Sequence, residues 1–333
     1  MPGSIEFLPV CRRRVKVLYG NDEYRYEQVE NWAKLPEGWS FLDVGGIAVD
    51  TEDRVYVFNR SHHPMIVFDS RGNFLTSWGE NFFNRPHGTR FSDDGFVYCT
   101  DDGNHTVTKF TPQGELQMTL GTKDKPSDTG YVEQPDLAAS IDSIVRGGPP
   151  FNRPTGIDLS SNGEIYVCDG YGNARVHRFT PEGKLISSWG GPGTGPSQFR
   201  LPHNIWLDNR DRVWVPDREN SRIQIFDAAG KFLTQWDHVV RPTDVFIDNE
   251  QVVYVSELGH VSGAGPGVCL FTIDGKLLAR WGNEDMDHTS DLFVAPHALA
   301  VDSTGAVYVG EVAMTHSGLD RGSRVIQKFA RKR

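Results

Sequence analysis

A pattern of about 40 residues recurs six times along this chain of 333 residues. Each copy contains an apolar run, a glycine turn, a Val-Tyr-Val type segment and an apolar segment that closes on phenylalanine. The six Val-Tyr-Val type segments are 55–57, 97–99, 165–167, 213–215, 253–255 and 307–309. Four short strands within a period of this length are typical of a propeller blade. The sequence therefore predicts an all-β fold, a six-bladed β-propeller.

The sixth copy lacks a fourth strand, because little chain follows Phe329. The segment Tyr24–Trp32 ends in the same kind of aromatic position, and we expect it to close the ring by pairing with the last blade. This divides the chain into an N-terminal extension, 1–23, and a single propeller domain, 24–333. Two insertions, Thr122–Asn152 and Val312–Ser323, interrupt the period, and both are predicted to be surface loops.

Charge and composition limit the classes of partner. The net charge of −10 argues against nucleic acid. No segment approaches the ~18 apolar residues of a membrane span, and residues 1–20 contain no stretch typical of a signal peptide. Cys11, Cys99, Cys168 and Cys269 show no paired short spacing and are predicted to be reduced thiols. We expect a cytoplasmic protein with no nucleic-acid or membrane partner; the sequence leaves the oligomeric state open.

The first strand of each blade begins with a matched position. In blade order this position is Gly45, His87, Thr155, His203, Thr243 and His297. A single Pro-His step is usually a turn or a packing feature, but here the histidines fall on alternate blades, ~120° apart about the axis. Three imidazoles at one depth form a metal site with open positions, as catalytic zinc prefers. Because iron, copper and nickel also accept imidazole, other divalent metals stay open.

The loop after every second strand is expected on the same face as the histidines, because neighbouring strands are antiparallel. An acid or amide recurs at the start of these loops and is predicted to accept backbone hydrogen bonds. Beyond it the blades differ, and Arg60, Tyr171 and Arg218 stand out. Two guanidinium groups near a metal favour an anionic substrate such as a carboxylate, and a tyrosine among cations is a candidate base. The alternative is that both arginines only pair with acids on neighbouring loops.

These motifs resemble the catalytic core of the peptidyl-α-hydroxyglycine α-amidating lyase family, whose members are six-bladed propellers of the NHL-repeat class. The resemblance covers about Gly45 to Phe329. It is carried by Arg-Pro-His-Gly at 85–88, Asp-Gly-Tyr-Gly-Asn-Ala-Arg at 169–175, the segment 183–190, Pro-His at 202–203 and Asp-Arg-Glu-Asn-Ser-Arg-Ile-Gln at 217–224. The resemblance implies that His87, His203 and His297 bind zinc, that Tyr171 is the catalytic tyrosine, and that Arg60 and Arg218 are active-site arginines.

The family's reaction implies a mechanism. The substrate is a carbinolamide that carries a carboxylate, and zinc lowers the pKa of its hydroxyl group. Tyr171, as a phenolate, takes the hydroxyl proton while the C–N bond breaks, which gives an amide and a carbonyl acid such as glyoxylate. The resemblance further implies that Arg60 stabilises the phenolate and that Arg218 holds the carboxylate or another anionic group.

The chain departs from the family pattern at several positions. Ala295 and Ala298 stand where the family has a methionine and an acid; since that acid belongs to a structural calcium site, calcium is doubtful here. Gly172 stands where one cysteine of a family disulfide would be. The copper monooxygenase that normally makes the substrate is not on this chain, which favours a small hydroxylated amide over a peptide hormone.

Two other functions remain open. One is a non-enzymatic NHL propeller that binds a protein on one face, and the other is a metal-dependent lyase or hydrolase that acts on a different small anionic substrate. A propeller of the gluconolactonase or paraoxonase type with calcium in its channel is disfavoured. Calcium prefers carboxylate and amide oxygens, whereas the matched inner positions hold histidine.

Overall fold

The structure, a computed structural model, describes residues 17–21, 23–260, 264–284, 286 and 292–332. Their strands are β1 (Leu18–Asn21), β2 (Tyr24–Val29), β3 (Val44–Val49), β4 (Val55–Asn59), β5 (Met65–Phe68), β6 (Phe74–Trp78), β7 (Pro86–Phe91), β8 (Val97–Asp101), β9 (Thr106–Phe110), β10 (Leu116–Gly121), β11 (Pro154–Leu159), β12 (Ile165–Asp169), β13 (Arg175–Phe179), β14 (Leu185–Trp189), β15 (Trp206–Leu207), β16 (Val213–Asp217), β17 (Arg222–Phe226), β18 (Phe232–Trp236), β19 (Pro242–Ile247), β20 (Val252–Glu257), β21 (Gly267–Thr272), β22 (Leu277–Gly282), β23 (Pro296–Val301), β24 (Val307–Glu311) and β25 (Ile326–Lys332). The helices are α1 (Leu137–Asp142) and α2 (Ala313–Ser317), with 3₁₀ turns at Arg218–Asn220 and Gly322–Val325.

The strands form six antiparallel sheets, one for each copy of the repeat. Blades one to five are β3–β6, β7–β10, β11–β14, β15–β18 and β19–β22. The sixth sheet has the order β1-β2-β25-β24-β23. The predicted six-bladed β-propeller is therefore confirmed.

The sixth blade is closed by the N-terminal strand, as the sequence predicted. β2 pairs antiparallel with β25, with Arg25 opposite Lys332 and Val29 opposite Lys328. β1 then adds a fifth strand, which was not predicted because Leu18–Asn21 lacks the repeat pattern. Residues 1–16 lie outside the described residues, and the division into an extension and a propeller domain stays a prediction.

The hydrophobic core lies between neighbouring blades. An aromatic side chain near the middle of each second strand is 2% exposed or less: Tyr56, Tyr98, Tyr166, Trp214, Tyr254 and Tyr308. In four blades its polar end donates a hydrogen bond to the aspartate near the end of the first strand: Asp50, Asp208, Asp248 and Asp302. The repeat thus buries one large ring in each blade and satisfies its polar atom locally.

The recurrent acid at the end of the second strand holds the loop that enters the first strand. Asp101 accepts hydrogen bonds from the backbone N–H groups of Asn84 and Arg85 at 2.7 and 2.9 Å. Corresponding bonds join Asp169 to Asn152, Asp217 to Arg200, Glu257 to Val240 and Glu311 to Val294. This is the predicted backbone role, and in blades two to six it fixes the depth at which the first strand begins.

Both insertions lie beside the loops that follow second strands. In the first, Thr129 Oγ1 donates to Gly172 O at 2.6 Å, and Gly148 O accepts from Asn173 Nδ2 at 2.6 Å. In the second, α2 follows β24, and the backbone N–H groups of Met314 and Thr315 donate to Asp43 of blade one. Both insertions are therefore attached to the propeller face at which the first strands begin and the matched positions lie.

The described cysteines have no disulfide partner. Cys99, Cys168 and Cys269 are buried and free, and burial raises the pKa of each thiol. Cys11 lies outside the described residues. None of the helices in the described part of the chain has the length and apolar character needed to cross a membrane.

Candidate metal centre

Three buried histidines converge at the propeller axis. The ring centroids of His87, His203 and His297 form a nearly equilateral triangle with sides of 4.6, 4.6 and 4.8 Å. All three residues are 3% exposed or less. One candidate ligand atom from each lies within 4.8 Å of the other two, and the described residues contain no second cluster of this kind. The matched positions on alternate blades thus bring three imidazoles together.

The Nδ1 atom of each imidazole is held by the next blade. His87 Nδ1 lies 2.6 Å from Thr155 O, His203 Nδ1 lies 2.6 Å from Thr243 O, and His297 Nδ1 lies 3.0 Å from Gly45 O. A carbonyl oxygen can only accept, so these contacts assign the proton to Nδ1 and the lone pair to Nε2. Metal-binding histidines commonly have such an outer hydrogen bond, which fixes the tautomer and the ring orientation.

The environment keeps the three rings neutral. Burial, followed by the charges of neighbouring histidine and arginine side chains, lowers the pKa of His87, His203 and His297 well below its ordinary value. His297 Nε2 is buried without a hydrogen-bond partner, which is uncommon for a polar atom. Neutral imidazoles with oriented lone pairs are the form that binds a metal ion. The triad therefore fits a divalent metal.

The threonines at the other matched positions complete a ring of contacts between blades. Thr155 Oγ1 donates to Pro202 O at 2.8 Å, and Thr243 Oγ1 donates to Pro296 O at 2.9 Å. Gly45 occupies the remaining matched position, where a Cβ atom would lie 2.6 Å from Pro86 O. Five of the six matched side chains thus bond to the following blade, and the sixth is glycine because the next blade lies against it.

Tyr171 lies directly beside the triad. Its hydroxyl oxygen is 3.2 Å from His203 Nε2 and 3.4 Å from His87 Nε2. Since both nitrogens carry lone pairs and the hydroxyl group has one hydrogen, it donates to one of them at a time. The ring is 6% exposed and packs against Ile141 of α1 and Leu201. The first insertion therefore supports the side chain that the sequence identified as the candidate base.

Arg218 is the arginine in contact with Tyr171. Its Nη1 donates to the tyrosine hydroxyl at 3.4 Å, and its Nε donates to Glu219 at 2.8 Å. Glu219 also accepts from Arg241 Nη2 at 2.9 Å. Burial opposes ionisation of Glu219, but Arg218 and Arg241 together lower its pKa to about 2. The carboxylate is thus ionised and holds Arg218 in place.

Arg60 has a different environment. Its Nη1 forms an ion pair with Asp43 at 3.2 Å and a hydrogen bond with Thr315 at 2.9 Å, and its Nε donates to Pro86 O at 3.2 Å. Its Nη2 is buried and has no partner in the described structure. Burial, followed by the charge of Arg85, lowers the pKa of Arg60. Arg60 therefore pairs with a neighbouring acid and keeps one donor unused.

Two further arginines lie at this site and were not predicted from the sequence. The guanidinium carbons of Arg85 and Arg153 lie 5.3 and 5.4 Å from the centroid of the Tyr171 ring. Both pair with the fully buried Asp102, at 2.6 and 3.6 Å. Each directly precedes the proline that begins a first strand. The Arg-Pro step at the mouth of blades two and three was the signal that could have revealed them.

Asn204 and Asp244, each directly after a matched position, line an inner cavity together with first-strand residues of the other blades. Asp244 accepts from the Asn204 amide and from the backbone N–H groups of Val245 and Leu299. Burial raises the pKa of Asp244 to about 7. This carboxylate thus joins first strands of blades four, five and six through hydrogen bonds.

Gly172 occupies a position without space for a side chain. A Cβ there would lie 2.2 Å from Asn152 Oδ1 and 2.9 Å from Asn152 O. Its carbonyl accepts from Thr129 and its N–H donates to Asn152 O at 3.0 Å. Hydrogen bonds therefore attach the insertion to the loop of Tyr171 at the position where the resembled family has a cysteine.

Comparisons with known proteins agree with the fold. The model of the NHL repeat matches residues 83–110 and 151–179, in blades two and three. NHL repeat-containing protein 3 of Homo sapiens is 30% identical over 96% of this chain and 86% of its own length. The chain belongs to the NHL repeat-containing protein family.

Lyases are also among the relatives of this NHL protein. Peptidyl-alpha-hydroxyglycine alpha-amidating lyase 2 of Drosophila melanogaster is 27% identical over 86% of this chain and 72% of its own length. Peptidyl-glycine alpha-amidating monooxygenase B of Xenopus laevis is 29% identical over 87% of this chain, but only 35% of that longer protein is covered. The predicted resemblance of this NHL propeller to the amidating lyases is confirmed.

Solved structures show the same fold at low identity. A gluconolactonase of Xanthomonas campestris has a TM-score of 0.60 at 13% identity and covers 96% of this chain and 99% of its own. A streptogramin B lyase has a TM-score of 0.56 at 15% identity, with 92% and 88% covered. At these identities the NHL protein shares the propeller architecture with both, and function must be argued from the site.

Proposed function

We propose that this protein is a metal-dependent carbon–nitrogen lyase. Its substrate would be an α-hydroxy amide (a carbinolamide) that bears a carboxylate, and its products an amide and a carbonyl acid such as glyoxylate. One observation carries the proposal: the Tyr171 hydroxyl lies within 3.4 Å of two histidine Nε2 atoms and of Arg218 Nη1. A candidate base, a candidate metal site and a guanidinium group thus meet at one point.

The reaction balances without a co-reactant. The hydroxyl group of the substrate loses its proton, its electrons form the C=O bond, and the C–N bond breaks with its electron pair on the amide nitrogen. The nitrogen receives one proton, so an N-acyl-α-hydroxyglycine gives the primary amide and glyoxylate. No water is consumed and there is no net redox change.

The histidines are suited to zinc. Three neutral imidazoles with open positions are a common ligand set of catalytic zinc, so His87, His203 and His297 would hold it. When bound, the metal would supply Lewis acidity to a hydroxyl group of the substrate. Iron, copper or nickel would fit the same donors, and metal analysis distinguishes them.

Tyr171 would move the proton. As a phenolate it takes the hydroxyl proton of the substrate and then returns a proton to the departing nitrogen. Arg218 donates to the same oxygen and would stabilise its negative charge. Arg60, whose charge acts on all three histidines and whose Nη2 has no partner in the described structure, would bind the substrate carboxylate. The contacts therefore favour the opposite assignment of the two arginines from the one that the family resemblance implied.

The charge around Tyr171 supports an anionic substrate. Five ion pairs on this face share eight side chains, and positive groups among these eight outnumber negative groups by two. The positive groups are Arg60, Arg85, Arg153, Arg218 and Arg241, and the negative groups are Asp43, Asp102 and Glu219. This local excess occurs in a chain of net charge −10 and attracts carboxylates.

Release of glyoxylate from N-acetyl-α-hydroxyglycine by zinc-loaded protein tests the proposal. We expect turnover by the wild type and a loss of about 100-fold or more in kcat for Tyr171→Phe, because a positioned base contributes at least ~10² to rate. Tyr24→Phe, on strand β2 and away from the histidines, is the control and should retain most activity. Equal rates for wild type and Tyr171→Phe would mean that another group is the base.

The non-enzymatic alternative makes a different prediction. A protein-interaction propeller requires neither metal nor turnover, so purified protein would contain no stoichiometric metal after growth with zinc, iron, copper and nickel. Absence of both metal and glyoxylate release would favour that function over the lyase.

A further inference from the structure

A cleft of about 770 Å³ lies between the first insertion and the mouths of blades two and three. Arg85, Asp102 and Arg153 line its blade side, and Thr129, Tyr131 and Glu133 line its insertion side. The two arginines also flank the ring of Tyr171. The cleft is therefore adjacent to the proposed reaction centre, and its volume is sufficient for a small organic group.

The cationic wall of this cleft is only partly neutralised. Asp102 is fully buried and is the one buried acid that pairs with Arg85 and Arg153 among the described residues. Asp102 Oδ2 accepts from Arg85 at 2.6 Å, whereas Oδ1 is 3.6 Å from Arg153 and has no hydrogen bond in the described structure. Two guanidinium groups thus share one carboxylate, which leaves one positive charge.

Both guanidinium groups have donors that the described protein does not use. Arg85 has one acceptor among the described residues, Asp102 Oδ2. Arg153 donates through Nη1 to the Tyr131 hydroxyl at 2.7 Å. Their side chains are 25% and 15% exposed, so the remaining N–H groups are accessible from the cleft. Paired arginine donors are well suited to bidentate binding of a carboxylate.

Exposed acids on the insertion do not supply the carboxylate that these two guanidinium groups could bind. Glu133 lies 3.8 Å from Arg153 Nη1 but is 79% exposed, and Asp128 is 80% exposed and pairs with Arg146. Ion pairs at such exposure contribute little, because water and salt screen them. A carboxylate bound within the cleft would be less screened.

We propose that Arg85 and Arg153 form a second anion subsite, which selects substrates whose acyl part carries a carboxylate of its own. The preferred substrate is then an α-hydroxy amide with two carboxylates, one on the hydroxylated carbon and one on the acyl chain. This inference rests on the proposed lyase function. It differs from a purely positioning role for the two arginines, in which they would only orient Tyr171.

Two substrates distinguish the subsite from a positioning role: N-acetyl- and N-succinyl-α-hydroxyglycine. In zinc-loaded wild type we expect a KM for the succinyl compound ~10- to 100-fold lower, the range of one charged hydrogen-bond pair. Arg85→Met and Arg153→Met should abolish the difference in KM, whereas loss of a purely positioning role would lower kcat equally on both substrates. Arg146 is an exposed arginine on the insertion, so Arg146→Met is the control and should keep the difference in KM between the two substrates.

Either of two results would overturn the subsite: equal KM values for the two substrates in the wild type, or an equal loss of kcat on both substrates in the variants. Arg85→Met leaves Asp102 without its closest partner, so the double variant Arg85→Met/Asp102→Asn is measured in parallel. This double variant removes the unpaired buried carboxylate and should fold even where the single variant does not.

Unreactive ligands separate this inference from the lyase proposal. N-succinylglycine and N-acetylglycine lack the hydroxyl group, and calorimetry measures their binding to the zinc-loaded protein without turnover. Tighter binding of N-succinylglycine that is lost in Arg153→Met, together with no turnover of either substrate, would support the subsite and reject the lyase. Turnover without any difference in binding would retain the lyase and reject the subsite.

Discussion

At the residue scale, each imidazole of the triad has one orientation and one tautomer. A backbone carbonyl from the next blade accepts from Nδ1 of His87, His203 and His297, which directs the basic nitrogens toward a common centre. The rings cannot easily exchange this tautomer, because a deprotonated Nδ1 would face a carbonyl oxygen. The geometry is thus preorganised by hydrogen bonds that do not involve a metal ion.

Replacement of one ligand should remove the metal without unfolding the chain. We expect His203→Ala to reduce bound zinc from about one ion per chain to near zero, because two imidazoles bind far more weakly than three. Loss of the bond to Thr243 O costs about 1–3 kcal/mol, so circular dichroism should still report a folded propeller. His238→Ala, an exposed histidine, is the control. Stoichiometric zinc in His203→Ala would exclude the triad as the metal site.

The sequence was sufficient to predict the three histidines but not their surroundings. Alternation at matched positions predicts convergence of His87, His203 and His297 from the ring symmetry alone. The contribution of Arg85 and Arg153 depends on which side of the Tyr171 ring each guanidinium group occupies. That arrangement depends on Asp102 and on the insertion, and the repeat pattern does not specify either contact.

At the scale of elements, neighbouring blades are joined by short polar contacts at the mouth of the channel. Arg218 follows β16 in blade four, and Arg241 precedes β19 in blade five; Glu219 bonds to both. Asp43 similarly joins the start of blade one to α2 of blade six. These contacts place loops from separate repeats at fixed positions around the triad.

The Glu219 contact should make stability depend on pH in a defined window. Burial raises the pKa of Glu219, but its two arginines outweigh this and hold it at about 2, below the ~4.3 of an unfolded chain. A depressed carboxyl pKa stabilises the fold above pH ~4.3, and this contribution disappears as the pH falls toward 2. The shift corresponds to roughly 3 kcal/mol.

Glu219→Gln measures this contribution in metal-free protein. The difference in the free energy of unfolding between wild type and variant should be largest above pH ~5 and decrease as the pH is lowered from 4.3 toward 2. Urea titrations at several pH values give the curve. A difference that is constant over this range, or that grows on acidification, would contradict the assignment.

Strand positions followed the repeat, whereas elements outside it were harder to predict. All six second strands lie where the Val-Tyr-Val pattern placed them. β1 was missed because Leu18–Asn21 gains its order from pairing with β2, not from its own sequence pattern. The helices α1 and α2 were predicted only as loops. At six and five residues they are too short to show helical periodicity, and their contacts with the propeller stabilise them.

At the scale of the whole molecule, the ring depends on one junction between distant parts of the sequence. β2 is the fourth strand of blade six, and its Tyr26 is fully buried and stacks on Trp281 of blade five with the ring centroids 4.8 Å apart. All other blades are built from consecutive strands. The N-terminal strand thus covers a sheet edge and fills the space between two blades.

Removal of the Tyr26 ring should destabilise the whole propeller. Truncation of a buried aromatic side chain to alanine costs roughly 3–5 kcal/mol, so we expect Tyr26→Ala to lower the urea midpoint of the complete transition. Arg25→Ala, the exposed neighbour on the same strand, should change the free energy of unfolding by no more than about 0.5 kcal/mol. An unchanged midpoint for Tyr26→Ala would show that closure by β2 contributes little to stability.

The β2–β25 junction also can form only late in translation. Gln28 and Gln327, which bond across this junction, are 299 positions apart. At ribosomal speeds of ~5–20 residues per second, β2 emerges roughly 15–60 s before its partner exists. His297 lies 29 residues before β25 begins at Ile326, so the third histidine emerges roughly 1.5–6 s before the partner of β2. The complete set of three histidines can therefore come together only once translation is nearly finished.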